Sequence, residues 1–278
     1  MTLTCGKFTL ALDRPLVMGI VNVTPDSFSD GGKFLLRETA IAHARKLIAD
    51  GADLVDIGGE STRPGAKAAS FEEEMDRLMP VLAALVGEGV PVSIDTQKPA
   101  VMRAAIAAGA SMINDVNALL APGALAACAA ANVAVCLMHK QGVPQTMQTA
   151  PTYADVVAEV GQFLSARAAA CIDAGIGANR IVVDPGFGFG KTTEHNFTLL
   201  RELSALTTLG FPLLAGFSRK ASLGIVTGRA AHERLAASIT AAIVCAQNGA
   251  RILRVHDVRE TLDALKVLRA TYPIQNPG

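Results

Sequence analysis

Short apolar runs recur along the chain, each closing on a polar residue or a glycine: LVMGIVN to Asn22, LVDIGG from Leu54, VSID to Asp95 and MIND to Asp115. The second half repeats the theme with VAVCLMH to His139, IVVD to Asp184, LLAGFS to Ser218 and ILRVH to His256. Runs that are continuously apolar, rather than alternating, suit strands covered on both faces, and this points to parallel pairing. Parallel neighbours need a crossover. The segment after each run reads as a helix: 38–50, 71–86, 99–108, 122–131, 153–173, 194–209, 233–248 and 258–272. Ser70 with Glu73 has capping-box spacing, and Gly51, Gly109, Gly175, Gly210 and Gly249 stand where helices should stop. Eight strand-helix units predict an α/β fold, a (β/α)8 TIM barrel, with a doubly wound open sheet as the competitor. No Pro/Ser-rich linker or short repeat interrupts the pattern, so residues 1–278 read as a single domain.

Composition narrows the partners. The 25 basic and 25 acidic residues balance, so no polycationic surface advertises nucleic acid or membrane. The five cysteines (Cys5, Cys128, Cys136, Cys171, Cys245) are scattered without a CxxC pair, as expected of reduced core thiols in a cytoplasm. The first residues, MTLTCGKFTLALDRP, carry no export pattern. The uncharged stretch from Asn117 to Met138 is long enough for a bilayer, but alanine-rich and broken by Pro122, Gly123 and Asn132, so it reads as a buried helix and strand.

One stretch imitates a nucleotide-phosphate loop: DPGFGFGKTT, Asp184 to Thr193. That loop requires four residues between its first glycine and its Gly-Lys-Ser/Thr, so that successive N–H groups wrap the anion. Here the position of the first glycine is Pro185, which has no N–H, and ATP binding is not expected. Lys191 then reads as a surface lysine, and the glycines as giving backbone room to approach a flat ring.

In such a barrel the chemistry gathers at the C-terminal ends of the strands. This brings Asn22, Thr62, Arg63, Asp95, Asn114, Met138, Asp184, Lys220, Arg254 and His256 to one mouth. Any single strand-end Asp or Asn could merely cap a turn, Arg254 could be a strand-end salt bridge, and His256 could be structural. His43 and His232 fall on predicted helices and receive no role. No HExxH or Cys/His cluster is present to cage zinc or iron. Asn22 is a hard oxygen donor able to share Mg²⁺ with a substrate's phosphates. Arg63, Arg254, His256 and the hydroxyls of Ser61 and Thr62 suit a diphosphate. Asp95, Asn114 and Asp184 suit the edges of a planar heterocycle, with Met138 as an apolar wall. Two polar, glycine-rich segments, 23–37 and 59–70, read as mobile lids.

The segments VMGIVNVTPDSFSDGG, DIGGESTRPGA, SIDT, INDV, CLMH, DPGFGFGK, GFSRKASLG and RVHDV closely resemble those of the bacterial dihydropteroate synthase family, over essentially the whole chain. The resemblance implies a transferase of folate biosynthesis that joins 6-hydroxymethyl-7,8-dihydropterin diphosphate to p-aminobenzoate, releasing pyrophosphate, with sulfonamides as competing ligands. It places the pterin on Asp95, Asn114, Met138, Asp184 and Lys220. The diphosphate falls to Asn22, Thr62, Arg63, Arg254 and His256, with Mg²⁺ at Asn22, and the second substrate to Phe28, Pro64, Phe189 and Arg219. Arg63, Asp95, Asp184 and Lys220 become the catalytic candidates, in a cytoplasmic homodimer. One departure is Ala221, where some members carry a carboxylate-binding serine; Ser222 or backbone N–H groups are the replacements. Two alternatives are a pterin-binding barrel that passes a methyl group to a corrinoid, which would not need Arg63, Arg254, His256 or the SRK segment, and a non-catalytic pterin-binding protein, which would keep Asp95, Asn114 and Asp184 but could lose the lids.

Overall fold

The computed structural model describes residues 1–24, 33–60, 69–142 and 146–272. The chain opens with a hairpin, β1 (Thr2–Cys5) and β2 (Phe8–Ala11), and continues with β3 (Leu16–Asn22), α1 (Lys33–Ala49), β4 (Leu54–Gly58), α2 (Phe71–Leu85), β5 (Val92–Asp95) and α3 (Pro99–Ala107). Then follow β6 (Met112–Asp115), α4 (Ala124–Ala129), β7 (Ala134–Met138), α5 (Val156–Asp173), β8 (Ile181–Asp184), α6 (Thr193–Arg201) and β9 (Leu213–Ala215). The last elements are α7 (Ala221–Thr227), α8 (Leu235–Gln247), β10 (Ala250–Val255) and α9 (Val258–Thr271).

Strands β3 to β10 close into a barrel in sequence order, each parallel to its neighbour, with β10 completing the ring against β3. The doubly wound alternative is therefore excluded, because an open sheet would leave β3 and β10 at edges. Two layers of apolar side chains make the core. Alternate strand residues such as Val17, Val55, Ile113, Val135, Val183 and Leu253 pack outward against the helices. Their neighbours Leu16, Met18, Leu54, Met112, Cys136, Val182, Leu214 and Ile252 fill the barrel. Both strand faces being buried explains why the sequence shows no alternation.

The eight barrel strands stand where the apolar runs predict, and five features differ. Hairpin β1–β2 was not among the predicted strands; it pairs Leu3 with Leu10 and Cys5 with Phe8. Its Leu3 and Cys5, both fully buried, plug the N-terminal end of the barrel interior. The expected helix 194–209 divides into α6 and a 3-10 segment, Leu203–Leu209, and 122–131 shortens to α4. An extra helix, α7, follows β9. Finally, α1 begins at Lys33, so the segment read as the first lid is helical from there; most of the rest of both lids lies outside the described residues.

Local chemistry sets the ends. The Ser70 hydroxyl accepts from the Glu73 N–H while the Glu73 carboxylate accepts from the Ser70 N–H, so the capping box is complete. Gly51 and Gly109 end their helices at φ +103° and +102°, a region costly for residues with a Cβ. All five cysteines are buried and free. Among the described residues no helix is long and apolar enough to cross a membrane.

Candidate functional site

Side-chain parity builds the site. Successive residues of a strand point to opposite faces, so the residue two beyond an inward core residue also points inward. Leu54 is followed by Asp56, Met112 by Asn114, Cys136 by Met138, Val182 by Asp184 and Ile252 by Arg254. Ladder register makes these neighbours around the ring: Gly58 pairs with Asp95, Asp95 with Asn114, and Met138 with Asp184. The apolar interior thus gives way, one layer higher, to a polar floor at the mouth.

Arg254 organises that floor. Its Nε donates to Asp56 Oδ2 at 2.7 Å and its Nη2 to Asp95 Oδ2 at 3.0 Å. Asn114 Nδ2 donates to the same Asp56 oxygen at 3.0 Å. The salt bridge foreseen for Arg254 exists, but inside the mouth and to two carboxylates at once. Burial works against the guanidinium charge, and Asp56 and Asp95 outweigh it, holding its pKa above the usual arginine range. Burial raises the Asp95 carboxyl, and Arg254 pulls it back. Asp56, fully buried, was not among the residues singled out from sequence, although a carboxylate in the middle of the apolar run LVDIGG is a visible signal.

The turn after β8 forms one wall. Asp184 Oδ1 accepts from the Gly186 N–H at 2.7 Å, and burial raises its pKa against that bond and the nearby Lys220. Lys220, at the N-cap of α7, carries its ammonium 4.1 Å from the centre of the Phe189 ring, a cation–π contact. Burial, with Arg254 adding repulsion, pulls Lys220 down to about 8 while Asp184 and Asp95 oppose the shift.

Three expectations about this turn are corrected. Lys191 is not a surface lysine: it is 2 % exposed, with Nζ 2.9 Å from His139 Nδ1 and 3.0 Å from the Gly186 carbonyl oxygen. The glycines serve packing against the loop after β7. A Cβ on Gly186 (φ +68°) would stand 1.9 Å from the His139 carbonyl oxygen, and one on Gly190 (φ +62°) 2.2 Å from that of Gln141. Ser222 is buried and its hydroxyl accepts from Asn196 Nδ2 at 3.1 Å, so it belongs to the contact between α6 and α7 and not to a carboxylate pocket.

The other foreseen residues are placed as follows. His256 Nδ1 lies 2.9 Å from Ser218 Oγ, and the His256 N–H donates to the same oxygen at 3.3 Å. Arg219, at φ +57°, forks onto Asp257 with Nη2–Oδ1 2.5 Å and Nε–Oδ2 3.2 Å. The fork uses Nε and Nη2 of the guanidinium. Asn22 ends β3 beside Gly58, where an added Cβ would stand 3.8 Å from both Asn22 Oδ1 and Asp95 Oδ2. Asp95 Oδ2 already accepts from Arg254, so Asn22 Oδ1 is the hard oxygen donor here that fits Mg²⁺ shared with a ligand's oxygens. Among the described residues no group of three or more His, Cys, Asp or Glu could hold a metal unaided. Phe28, Thr62, Arg63 and Pro64 lie outside the described residues.

The family profile described as "Pterin binding enzyme" matches residues 18–256. The chain belongs to the pterin binding enzyme family. It is 53% identical over 272 residues to the dihydropteroate synthase of Neisseria meningitidis serogroup B, covering 95% of each. The solved Xanthomonas albilineans dihydropteroate synthase with 4-aminobenzoic acid superimposes with TM-score 0.93 at 55% identity, over 99% of both chains. The Yersinia pestis dihydropteroate synthase with a sulfonamide drug complex gives TM-score 0.93 at 47% identity, over 98% of this chain and 99% of that one.

In this pterin binding enzyme the polar floor should also be a stability determinant. Asp56→Ala leaves Arg254 buried with only Asp95 as counter-ion, and breaking a buried pair in this way costs about 3–5 kcal/mol. Urea denaturation should show a loss of that size; a variant as stable as the parent would mean that Asp95 and solvent suffice to hold the guanidinium.

Proposed function

We infer that this chain is a dihydropteroate synthase, a transferase that condenses 6-hydroxymethyl-7,8-dihydropterin diphosphate with p-aminobenzoate to 7,8-dihydropteroate and pyrophosphate. The observation that carries the reading is the polar floor of Asp56, Asp95, Asn114, Asp184, Lys220 and Arg254 at the mouth of a barrel of this family. A flat heterocycle with amide and amino edges offers donors to Asp184 and Asp95 and both kinds of partner to Asn114, with Met138 as an apolar wall. Two buried carboxylates with raised pKa values are costly alone, and N–H donors from the ring relieve that cost.

The diphosphate belongs at the rim, with Arg254, His256 and Asn22, joined by Thr62 and Arg63. In the Arg254 guanidinium, Nε and Nη2 face the carboxylates; Nη1 is the donor left for a phosphate oxygen. Mg²⁺, when bound at Asn22 with substrate oxygens, supplies further neutralisation of phosphate charge. The chemical step breaks the bond from the pterin methylene to the diphosphate oxygen and forms one to the amine nitrogen. Negative charge grows on the departing diphosphate, and the fixed positive charges of Arg254 and Lys220 favour it; the carboxylates of Asp95 and Asp184 favour positive charge on the pterin. The aromatic amine is uncharged at neutral pH and attacks through its lone pair, then loses its extra proton to solvent. No strong base is required, and positioning of the two substrates carries the remaining acceleration. Phe28, Pro64 and Phe189 form the pocket of the amine, where sulfonamides compete, and Arg63 closes over the diphosphate. Arg219 keeps Nη1 as the donor for this pocket while Asp257 holds Nε and Nη2. The reading extends to residues 1–278 as one domain and to a homodimer in the cytoplasm, a compartment in which five buried free thiols stay reduced.

Mixing the protein with pterin diphosphate, p-aminobenzoate and Mg²⁺ should give pyrophosphate release that depends on the amine; folded protein that releases none would overturn the assignment. Asp184→Ala should abolish pterin binding, and calorimetry returning wild-type affinity would remove Asp184 from the site. The Lys220 ammonium, held near 8, is present below that pH and lost above it. The rate kcat/KM should accordingly fall as pH rises through about 8, and Lys220→Gln should remove that limb; an unchanged profile in the variant would show that another group titrates.

A further inference from the structure

Lys191 is an amine sealed inside the protein: burial, with Lys220 adding repulsion, lowers its pKa to about 7 while Asp184 opposes the shift. Four acceptors surround its Nζ: His139 Nδ1 at 2.9 Å and the carbonyl oxygens of Gly186 at 3.0 Å, Phe189 at 3.2 Å and His139 at 3.4 Å. An ammonium has three N–H donors, so one is shared and none is spare. These acceptors belong to two segments, the loop after β7 and the turn after β8, which press backbone to backbone at Gly186 and Gly190. The Tyr153 hydroxyl donates to the Gly190 carbonyl at 2.8 Å and Asn196 Oδ1 accepts from the Gly188 N–H at 2.7 Å, pinning the turn from its other sides. Burial, with the charge of Lys191, pushes His139 down to about 3, so the ring is neutral and its Nδ1 can accept from the ammonium form of Lys191. The turn so held carries Phe189, under the ammonium of Lys220, and Gly188, where an added Cβ would stand 3.2 Å from the Lys220 chain.

We propose that Lys191 is a positioning residue for the amine substrate: by gripping the Gly186 and Phe189 carbonyls against His139, it fixes the Phe189 ring beneath Lys220 and so sets the amine pocket. The inference rests on the functional reading above, which puts Phe189 beside that substrate. It gives Lys191 a part in selecting the second substrate while leaving the pterin to Asp184, which has its own bond to the Gly186 N–H.

Lys191→Met keeps the apolar stem and removes the donors. The KM for p-aminobenzoate should rise about tenfold or more, because small misplacements of substrate-positioning groups carry large kinetic costs, while calorimetric affinity for the pterin diphosphate stays within about threefold. In a Phe189→Leu background the same substitution should add less than about twofold, since coupled residues are not additive. Amide hydrogen exchange at residues 186–190 should quicken in K191M whether or not the protein turns over, which separates failure of this proposal from failure of the functional reading. A wild-type KM in K191M, an equal tenfold effect in both backgrounds, loss of pterin binding alongside the KM change, or unaltered exchange would each overturn it. Should K191M not fold, His139→Phe, which keeps the ring packed on Phe163 and removes one acceptor, must show the same amine-only effect; an unchanged KM there overturns the proposal equally.

Discussion

A guanidinium placed inside a closed barrel has to be answered by carboxylates, and that demand organises the mouth of this one. Arg254 reaches across the ring from β10 to Asp56 on β4 and Asp95 on β5. Asn114 then joins the same Asp56 oxygen, so three strands are tied to a fourth above the last apolar layer. Removing one member of such a floor is costly, yet the intact floor gains little stability over a well-packed apolar layer, because desolvation offsets most of the attraction. What it supplies is a preset field: charges and dipoles that need not reorganise when a polar ring arrives.

The wall beside this floor solves a different problem. The turn after β8 must bring a carboxylate, an aromatic ring and a neighbouring lysine to one place without regular secondary structure to hold them. Close backbone packing at Gly186 and Gly190 removes the freedom that a glycine-rich turn would otherwise keep. Lys191, Asn196 and Tyr153 then satisfy the carbonyls and N–H groups that the turn leaves over, as buried backbone polar groups require. The side chains that face substrate are thus set by others that never do.

The groups around this turn differ in how they answer protons. Lys220, between Arg254 and two carboxylates, sits near the pH of working solutions, whereas His139 is kept neutral by burial and by the Lys191 charge. Burial also lowers Lys191 to about 7, so the scaffold behind the mouth carries a group that titrates in the same range as Lys220.

The order and direction of the barrel strands were legible in the sequence, since continuous apolar runs separated by helix-length segments admit few other arrangements. The strand-end residues Asp95, Asn114, Asp184 and Arg254 were legible too, because parity and the barrel's geometry carry them to one end. Hairpin β1–β2 was not read as strands, for its alternating pattern acquires meaning only against the open end of the barrel it plugs. The role of Asp56 is not legible locally, because it depends on Arg254, 198 residues away in the chain. Lys191 was misread for the same reason: a lysine after three glycines looks like a solvated turn until tertiary packing folds a second loop over it. Local pattern determined the scaffold and the identity of the strand-end groups. Which polar groups pair, which are buried and which glycines are obligatory depends on contacts between distant segments, and only the tertiary structure decided those.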